Sequence, residues 1–143
     1  MARADFNFSF PFRVRYSEID KQGIVFNAHY LTYFDTAISE YFRALEHNPE
    51  SAQAHKNTDF HTVRTLIDYK AKIHFDDEIE VGVRAGKIGR SSLTFMLEIH
   101  PKDQDEVLAY GEIVWVNTDQ DTNIPEPVPA ALADVMRRFD SAA

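Results

Sequence analysis

Hydrophobic and polar residues alternate in the first recognisable element of the chain. Between residues 6 and 19 (FNFSFPFRVRYSEI), aromatic or aliphatic side chains occupy every second position up to Tyr16, and most of the positions between them are polar. This period of two predicts a strand of about 5–10 residues. Pro11 has no backbone N–H to donate, so the strand should lie at a sheet edge or contain a bulge.

The period changes between Ala28 and about Glu46. Hydrophobic residues now recur at three- and four-residue steps, which predicts one long helix with a wide apolar face. The residues of that face are Leu31, Phe34, Ile38, Tyr41, Phe42 and Leu45. Asn27 is a favourable N-cap residue, and the polar, turn-rich segment 47–59 predicts a loop after the helix.

The second half of the chain predicts four further strands, because its segments are rich in β-branched residues and partly alternate. These segments are 61–75, 76–89, 91–100 and 107–118. In the second, Ile79, Val81, Val83 and Ala85 share one face, and in the third Leu93, Phe95, Leu97 and Ile99 do so. A tight connection is predicted at 89–90, a hairpin loop at 101–106, and a Pro-rich lead-in to a short terminal helix within 124–143.

The order of elements is one strand, one long helix and about four antiparallel strands. A lone helix with a wide apolar face must be covered on most sides, and a curved antiparallel sheet wrapped around it would cover it. We therefore predict a single α+β domain, residues 1–143, in which about five strands wrap a long central helix. The edges of this sheet need partners, which favours a dimer that continues the sheet.

Composition narrows the classes of protein and of ligand. A chain of 143 residues is long enough for one domain with a real core, and its net charge of -8 argues against nucleic-acid binding. The chain has no cysteine, and its six histidines lack metal-site spacing, so we predict no disulfide and no metal. Without a signal peptide or a membrane-spanning apolar run, we expect a cytoplasmic protein with no membrane partner.

One carboxylate precedes the long helix in a pattern that could support catalysis. Asp20 follows the first predicted strand and stands three residues before Gly23, which permits unusual backbone conformations. On loop statistics alone, Asp20 is a solvated turn residue. However, Ile24, Val25 and Phe26 are too apolar for a solvated loop, and Asn27 then opens a helix whose first N–H groups are free and electropositive.

A carboxylate beside free N–H groups suits acyl transfer. The N–H groups would polarise a carbonyl and stabilise the oxyanion, while the carboxylate would attack the carbonyl or activate a water. The chain has no G-x-S-x-G motif, which argues against a serine hydrolase.

The stretch RVRYSEIDKQGIVFNAHYLTYFDTA (13–37) resembles the signature of the 4-hydroxybenzoyl-CoA thioesterase-like family of hotdog-fold proteins. The family pattern is an Asp, two variable residues, a GIV-like triplet, and a Tyr in a long helix. Here these are Asp20, Gly23, Ile24, Val25 and Tyr30. The order of strand, helix and four strands matches that family along nearly the whole chain.

The resemblance implies the hotdog fold and the hydrolysis of an acyl-CoA thioester without a cofactor. It implies that Asp20 is the catalytic nucleophile or general base, and that the backbone N–H of Asn27 polarises the thioester carbonyl. Many relatives carry Tyr or His at the position of Asn27, so the side chain here departs from the family while the backbone role would survive. Gly23 belongs to the same catalytic motif.

Residues that would contact the substrate are found in two places. Phe26 and Tyr30 are the aromatic residues that we expect near the acyl pocket, although core packing also explains aromatic residues at helical spacing. Lys87, Arg90 and Ser91 lie at a predicted turn that could simply be a solvated hairpin end. In similar proteins, basic residues of this region contact the nucleotide phosphates of CoA, and a cationic turn in an acidic chain fits that role.

Two other functions stay open at this stage. A hotdog hydratase or dehydratase acting on acyl thioesters would rely on a histidine, and His29 is the one near the predicted site. A non-catalytic module that binds acyl thioesters would have the same composition. In each case we expect the chain to pair with itself, as a homodimer or homotetramer.

Overall fold

The computed structural model describes residues 2–45 and 57–141. The elements are β1 (Ser9–Arg13), α1 (His29–Ala44), β2 (Thr58–Tyr69), β3 (Glu78–Ile88), β4 (Ser92–Pro101), β5 (Ala109–Asp119) and α2 (Ala130–Ser141). The end of the predicted long helix near Glu46 and most of the predicted loop 47–59 lie outside the described residues. The last two residues of that loop were predicted wrongly, because β2 already begins at Thr58.

The five strands form one antiparallel sheet in the order β1-β3-β4-β5-β2. β1 pairs only with β3, from Ser9 opposite Gly82 to Arg13 opposite Glu78. This confirms that the strand containing Pro11 lies at an edge of the sheet. β2 forms the other edge and pairs with β5.

One face of the sheet packs against α1, and the alternating residues predicted to share a face are the ones that do so. Ile79, Val81, Val83 and the four alternating residues of β4 are buried, and Ala85 is half-buried. They meet the apolar side of α1, which contributes Tyr33, Phe34, Ala37, Ile38 and Tyr41. The predicted architecture of a long helix covered by a five-stranded antiparallel sheet is therefore confirmed.

A close approach of α1 to the sheet occurs at Gly111 of β5. A Cβ atom built on Gly111 would lie 2.8 Å from Cζ of Phe34, closer than packed atoms tolerate. Glycine at this position therefore lets the ring of Phe34 rest on the backbone of the sheet, which fixes the depth at which α1 sits.

The terminal helix α2 packs against the sheet and is tied to it near its own end. Asp140 accepts a hydrogen bond from the backbone N–H of Ala85 (2.8 Å) and another from the hydroxyl of Tyr41 (2.9 Å). Burial raises the pKa of Asp140 above its ordinary value. This carboxylate joins α2 to β3 and to α1. Among the described residues, no helix is both long and apolar enough to cross a membrane.

Candidate active site

The segment between β1 and α1 folds into a small hairpin that carries Asp20 at its tip. The N–H of Phe26 donates to the carbonyl of Glu18 (2.9 Å), and the N–H of Asp20 donates to the carbonyl of Ile24 (2.9 Å). The returning arm also joins the connection before β3, since the N–H of Val25 donates to the carbonyl of Ile73 (2.8 Å). Asp20 is thereby held beside the start of the long helix.

The turn at the tip requires glycine for its backbone angle. Gly23 has φ of 77° and closes the turn by donating its N–H to the carbonyl of Asp20 (3.0 Å). A Cβ added to Gly23 would meet no atom within 4 Å, so the conformation and not the space demands glycine. One carboxylate oxygen of Asp20, Oδ1, accepts the N–H of Gln22 (2.8 Å), while Oδ2 accepts no hydrogen bond from the described residues.

A cavity of about 470 Å³ opens beside this turn. Its lining residues are Asp20, Gln22, Ile24, Val25, Asn27, Tyr30, Tyr69, Lys70, Ala71 and Lys72. Three of the residues predicted from the sequence, Asp20, Asn27 and Tyr30, therefore meet at one cavity. Asp20 also has the turn role that was its alternative interpretation, because one of its two carboxylate oxygens supports the turn.

The start of α1 differs from the predicted one. The helix begins at His29, its N-cap position is Ala28, and no side chain caps it, so the prediction of Asn27 as N-cap is wrong by one residue. The physical reason is that backbone carbonyls close the first turn. The N–H of His29 donates to Phe26 (2.9 Å) and that of Tyr30 to Asn27 (3.4 Å).

The free donors at this helix end are the N–H groups of Asn27 and Ala28, which bond to no described residue. In a trans peptide the N–H points opposite to the carbonyl of the same plane. The carbonyl of Phe26 points to His29, so the N–H of Asn27 points away from the helix. The positive end of the helix dipole adds to the potential at this point.

Tyr69, at the end of β2, is a residue of the cavity that sequence reasoning missed. Its hydroxyl donates to the carbonyl of Asn27 (3.3 Å), and its ring lies 4.8 Å from the ring of Tyr30 in an edge-to-face contact. Burial, and then the neighbouring Tyr69, raise the pKa of Tyr30. The two rings form an uncharged wall of the cavity.

The other aromatic candidate, Phe26, does not line the cavity of its own chain. Its side chain is 45% exposed, and its ring lies 6.1 Å from that of His29, which does not line the cavity either. The three apolar residues before Asn27 therefore lie in different environments. Val25 is buried, Ile24 is half-buried in the cavity wall, and Phe26 faces outward.

The cationic turn of Lys87, Arg90 and Ser91 lies at the connection from β3 to β4, at the far end of β3 from the cavity. β3 has 11 residues, which at the usual rise extend over roughly 35 Å. The structure therefore does not bring these residues to the cavity of their own chain. The cations that do line it are Lys70 and Lys72. Their only signal in the sequence was the KAK triplet after a predicted strand.

No group of three or more potential metal-ligating side chains occurs within residues 2–45 and 57–141. The cavity instead is lined by one carboxylate residue, by Asn27 with its free backbone N–H, by two tyrosines and by two lysines. Such a set can hold a carbonyl oxygen at the N–H group and present a carboxylate oxygen to its carbon or to a water.

Comparison with known proteins gives consistent matches. The family model of the Thioesterase superfamily matches residues 22–116. The acyl-CoA thioesterase YbgC of Haemophilus influenzae is 34% identical over 92 residues, which cover 64% of this chain and 67% of the relative. A thioesterase of Thermus thermophilus solved with coenzyme A and Zn is 29% identical, with a TM-score of 0.79, over 97% of this chain and 98% of that one. A Pseudomonas aeruginosa protein is 26% identical, with a TM-score of 0.83, over 99% of this chain and 97% of that one.

Proposed function

This chain belongs to the Thioesterase superfamily, and on that premise we propose that it hydrolyses an acyl-CoA thioester to a free acid and CoA. The observation that carries the proposal is that Asp20 and Asn27, whose backbone N–H is free, line one cavity. The YbgC relative is named an acyl-CoA thioesterase, and the Thermus relative was solved with coenzyme A, which supports CoA as the carrier.

In the proposed reaction the thioester carbonyl oxygen accepts a hydrogen bond from the N–H of Asn27. The carbonyl carbon is then attacked in one of two ways. Either a carboxylate oxygen of Asp20 adds to it and CoA leaves as the thiolate, giving a mixed anhydride that water opens, or Asp20 takes a proton from a water that attacks directly. Both routes end in the free acid and CoA, and both need the negative charge on the oxygen to be stabilised at the helix start.

A second copy of the chain belongs to this proposal. β2 pairs with β5 on one side, and its other side meets no strand of the described residues, so an edge of 12 residues is open. Its exposed apolar residues include Val63 (59% exposed). We propose that a partner subunit pairs along this edge, and that Lys87 and Arg90 contact the CoA phosphates in the site of another subunit and not in their own.

The test is the replacement Asp20→Asn. Asparagine keeps an oxygen that can accept the N–H of Gln22, so the turn should persist while the carboxylate is lost. We expect kcat to fall by about 10²–10⁴-fold with KM nearly unchanged. A thiol reagent can report CoA release from acyl-CoA esters of varied length and ring content without background, because the protein has no cysteine.

Asp119→Asn is the matched control. Asp119 also uses its Oδ1 to support a turn, by accepting the N–H of Asp121 (2.8 Å), but it lies at the end of β5 and outside the cavity. This variant should keep full turnover. Unchanged hydrolysis by Asp20→Asn would reject the proposed role, and ester binding without any thiol release by the wild type would indicate a binding module.

A further inference from the structure

Glu18, two residues before Asp20, is a buried carboxylate that the proposed reaction does not use. Only 5% of it is exposed. Its Oε1 accepts hydrogen bonds from the N–H of Arg15 (2.8 Å) and the hydroxyl of Tyr33 (2.8 Å), and its Oε2 accepts one from Nε of Arg15 (3.0 Å). Burial acts to raise the pKa of Glu18, but these hydrogen bonds outweigh it and hold the pKa below its ordinary value. The group is therefore ionised at neutral pH.

The hydroxyl that reaches Glu18 comes from α1. Tyr33 is only 2% exposed, and burial together with the bond to Glu18 raises its pKa, so the hydroxyl remains a donor. Tyr33 lies in the second turn of α1, and Asn27 stands six positions earlier, directly before the N-cap residue Ala28. A bond to Tyr33 is thus a bond to the helix that Asn27 directly precedes.

Glu18 is also tied to the other arm of the hairpin. Its backbone carbonyl accepts the N–H of Phe26 (2.9 Å), the residue before Asn27. One residue therefore bonds to the helix through its side chain and to the segment entering the helix through its backbone. Asp20 stands two residues beyond this double attachment.

We propose that Glu18 and Tyr33 are positioning residues that fix the carboxylate of Asp20 relative to the N–H of Asn27. Burying the carboxylate of Glu18 costs free energy that an apolar pair in its place would not cost. The hydrogen bond between Glu18 and Tyr33, however, fixes the direction of the hairpin relative to the helix, and an apolar contact would not do so. Catalysis needs that direction, because a displacement of about 1 Å between reacting groups can cost orders of magnitude in rate.

The test is Tyr33→Phe, which removes the hydroxyl and keeps the ring packed 5.0 Å from that of Phe12. We expect kcat to fall about tenfold while KM stays within about twofold. In an Asp20→Asn background, the same replacement should cause no further fall in the residual turnover. A replacement that merely unfolds part of the protein would lower turnover by the same factor in both backgrounds.

Tyr41→Phe is the matched control. Tyr41 is also a buried tyrosine of α1 whose hydroxyl donates to a carboxylate, that of Asp140 at 2.9 Å, but this pair lies away from the cavity. The Tyr41→Phe variant should lose about as much thermal stability as Tyr33→Phe and should keep the kcat of the wild type. Glu18→Gln preserves side-chain size, disturbs the pairing with Arg15, and should lower kcat as Tyr33→Phe does.

The positioning role of Glu18 and Tyr33 rests on the proposed function, but different results would reject each of them. If Asp20→Asn lowers kcat while Tyr33→Phe and Glu18→Gln leave it unchanged, the positioning role is wrong and the hydrolytic role of Asp20 stands. An equal loss from Tyr33→Phe in both backgrounds would likewise overturn the positioning role. Full activity in Asp20→Asn would reject the proposed function itself, and there would be no carboxylate to position.

Discussion

Replacing Gly23 with alanine measures how much the stability of the turn beneath Asp20 depends on the φ angle of residue 23. Gly23 has φ of 77°, and a Cβ at this position meets no atom within 4 Å. Steric clash with neighbouring residues therefore contributes nothing, and the whole effect comes from the chain's own conformation. This makes the position a clean measurement of backbone strain.

The magnitude follows from two opposed contributions. Holding an L-residue in the left-handed region costs about 1–2 kcal/mol. Alanine also loses less conformational entropy on folding than glycine, which returns about 0.4–1 kcal/mol. The net loss should be about 1 kcal/mol, or a fall of roughly 3–4 °C in Tm for a domain of this size. Asparagine tolerates this region better, so Gly23→Asn should cost clearly less.

Urea denaturation and thermal unfolding of the wild type, Gly23→Ala and Gly23→Asn give the stability series, and thiol release gives kcat for the same samples. We expect the order of stability to be glycine, asparagine, alanine, with kcat falling in the same order as the turn shifts. Equal stability of all three proteins would refute the reasoning. So would an asparagine variant less stable than the alanine variant, because backbone strain would then not be the cause.

Two further predictions concern the buried carboxylate and the second subunit. Because the pKa of Glu18 lies below its ordinary value of 4.5, its stabilising contribution is present above that pH and is lost as the pH falls through the lowered pKa. The stability gap between wild type and Glu18→Gln in urea should therefore shrink below pH 4.5, and a gap constant from pH 7 to 3 would contradict this. If Arg90 serves another subunit's site, a hybrid dimer of one Asp20→Asn chain and one Arg90→Ala chain has one intact site. Refolding the two variants together should therefore restore about a quarter of wild-type turnover. No restored turnover, or a wild-type native mass of 16.4 kDa, the mass of one chain, would contradict the shared site.

The elements and buried faces were predictable because they depend on local periodicity. Alternation placed Val81 and Val83 of β3 on the buried face, and three- and four-residue spacing identified the side of α1 that carries Phe34 and Ile38. These patterns record which side of an element avoids water, so they remain valid whatever the partner element is. The position of Pro11 at an edge followed in the same way from its missing N–H.

The details of the cavity were harder to predict from the sequence, since they depend on contacts between distant segments. The N-cap preference of asparagine misplaced the helix start because carbonyls of Phe26 and Asn27, and not a side chain, satisfy the first turn. Tyr69 and Lys72 reach the cavity only because β2 returns to the hairpin of Asp20. Glu18 showed nothing unusual in the sequence, since burial of a charged residue is decided by its tertiary partners.

The donors at the mouth of α1 are main-chain groups, and this shapes how such a site can evolve. Every amino acid except proline supplies the same N–H at position 27, so mutation can exchange the side chain there without removing the group that the proposed chemistry uses. Position 20 has no such latitude, because its oxygen belongs to the side chain. Among related sequences, the residue at position 27 could therefore vary freely while the carboxylate at position 20 is kept, although both positions serve the same site.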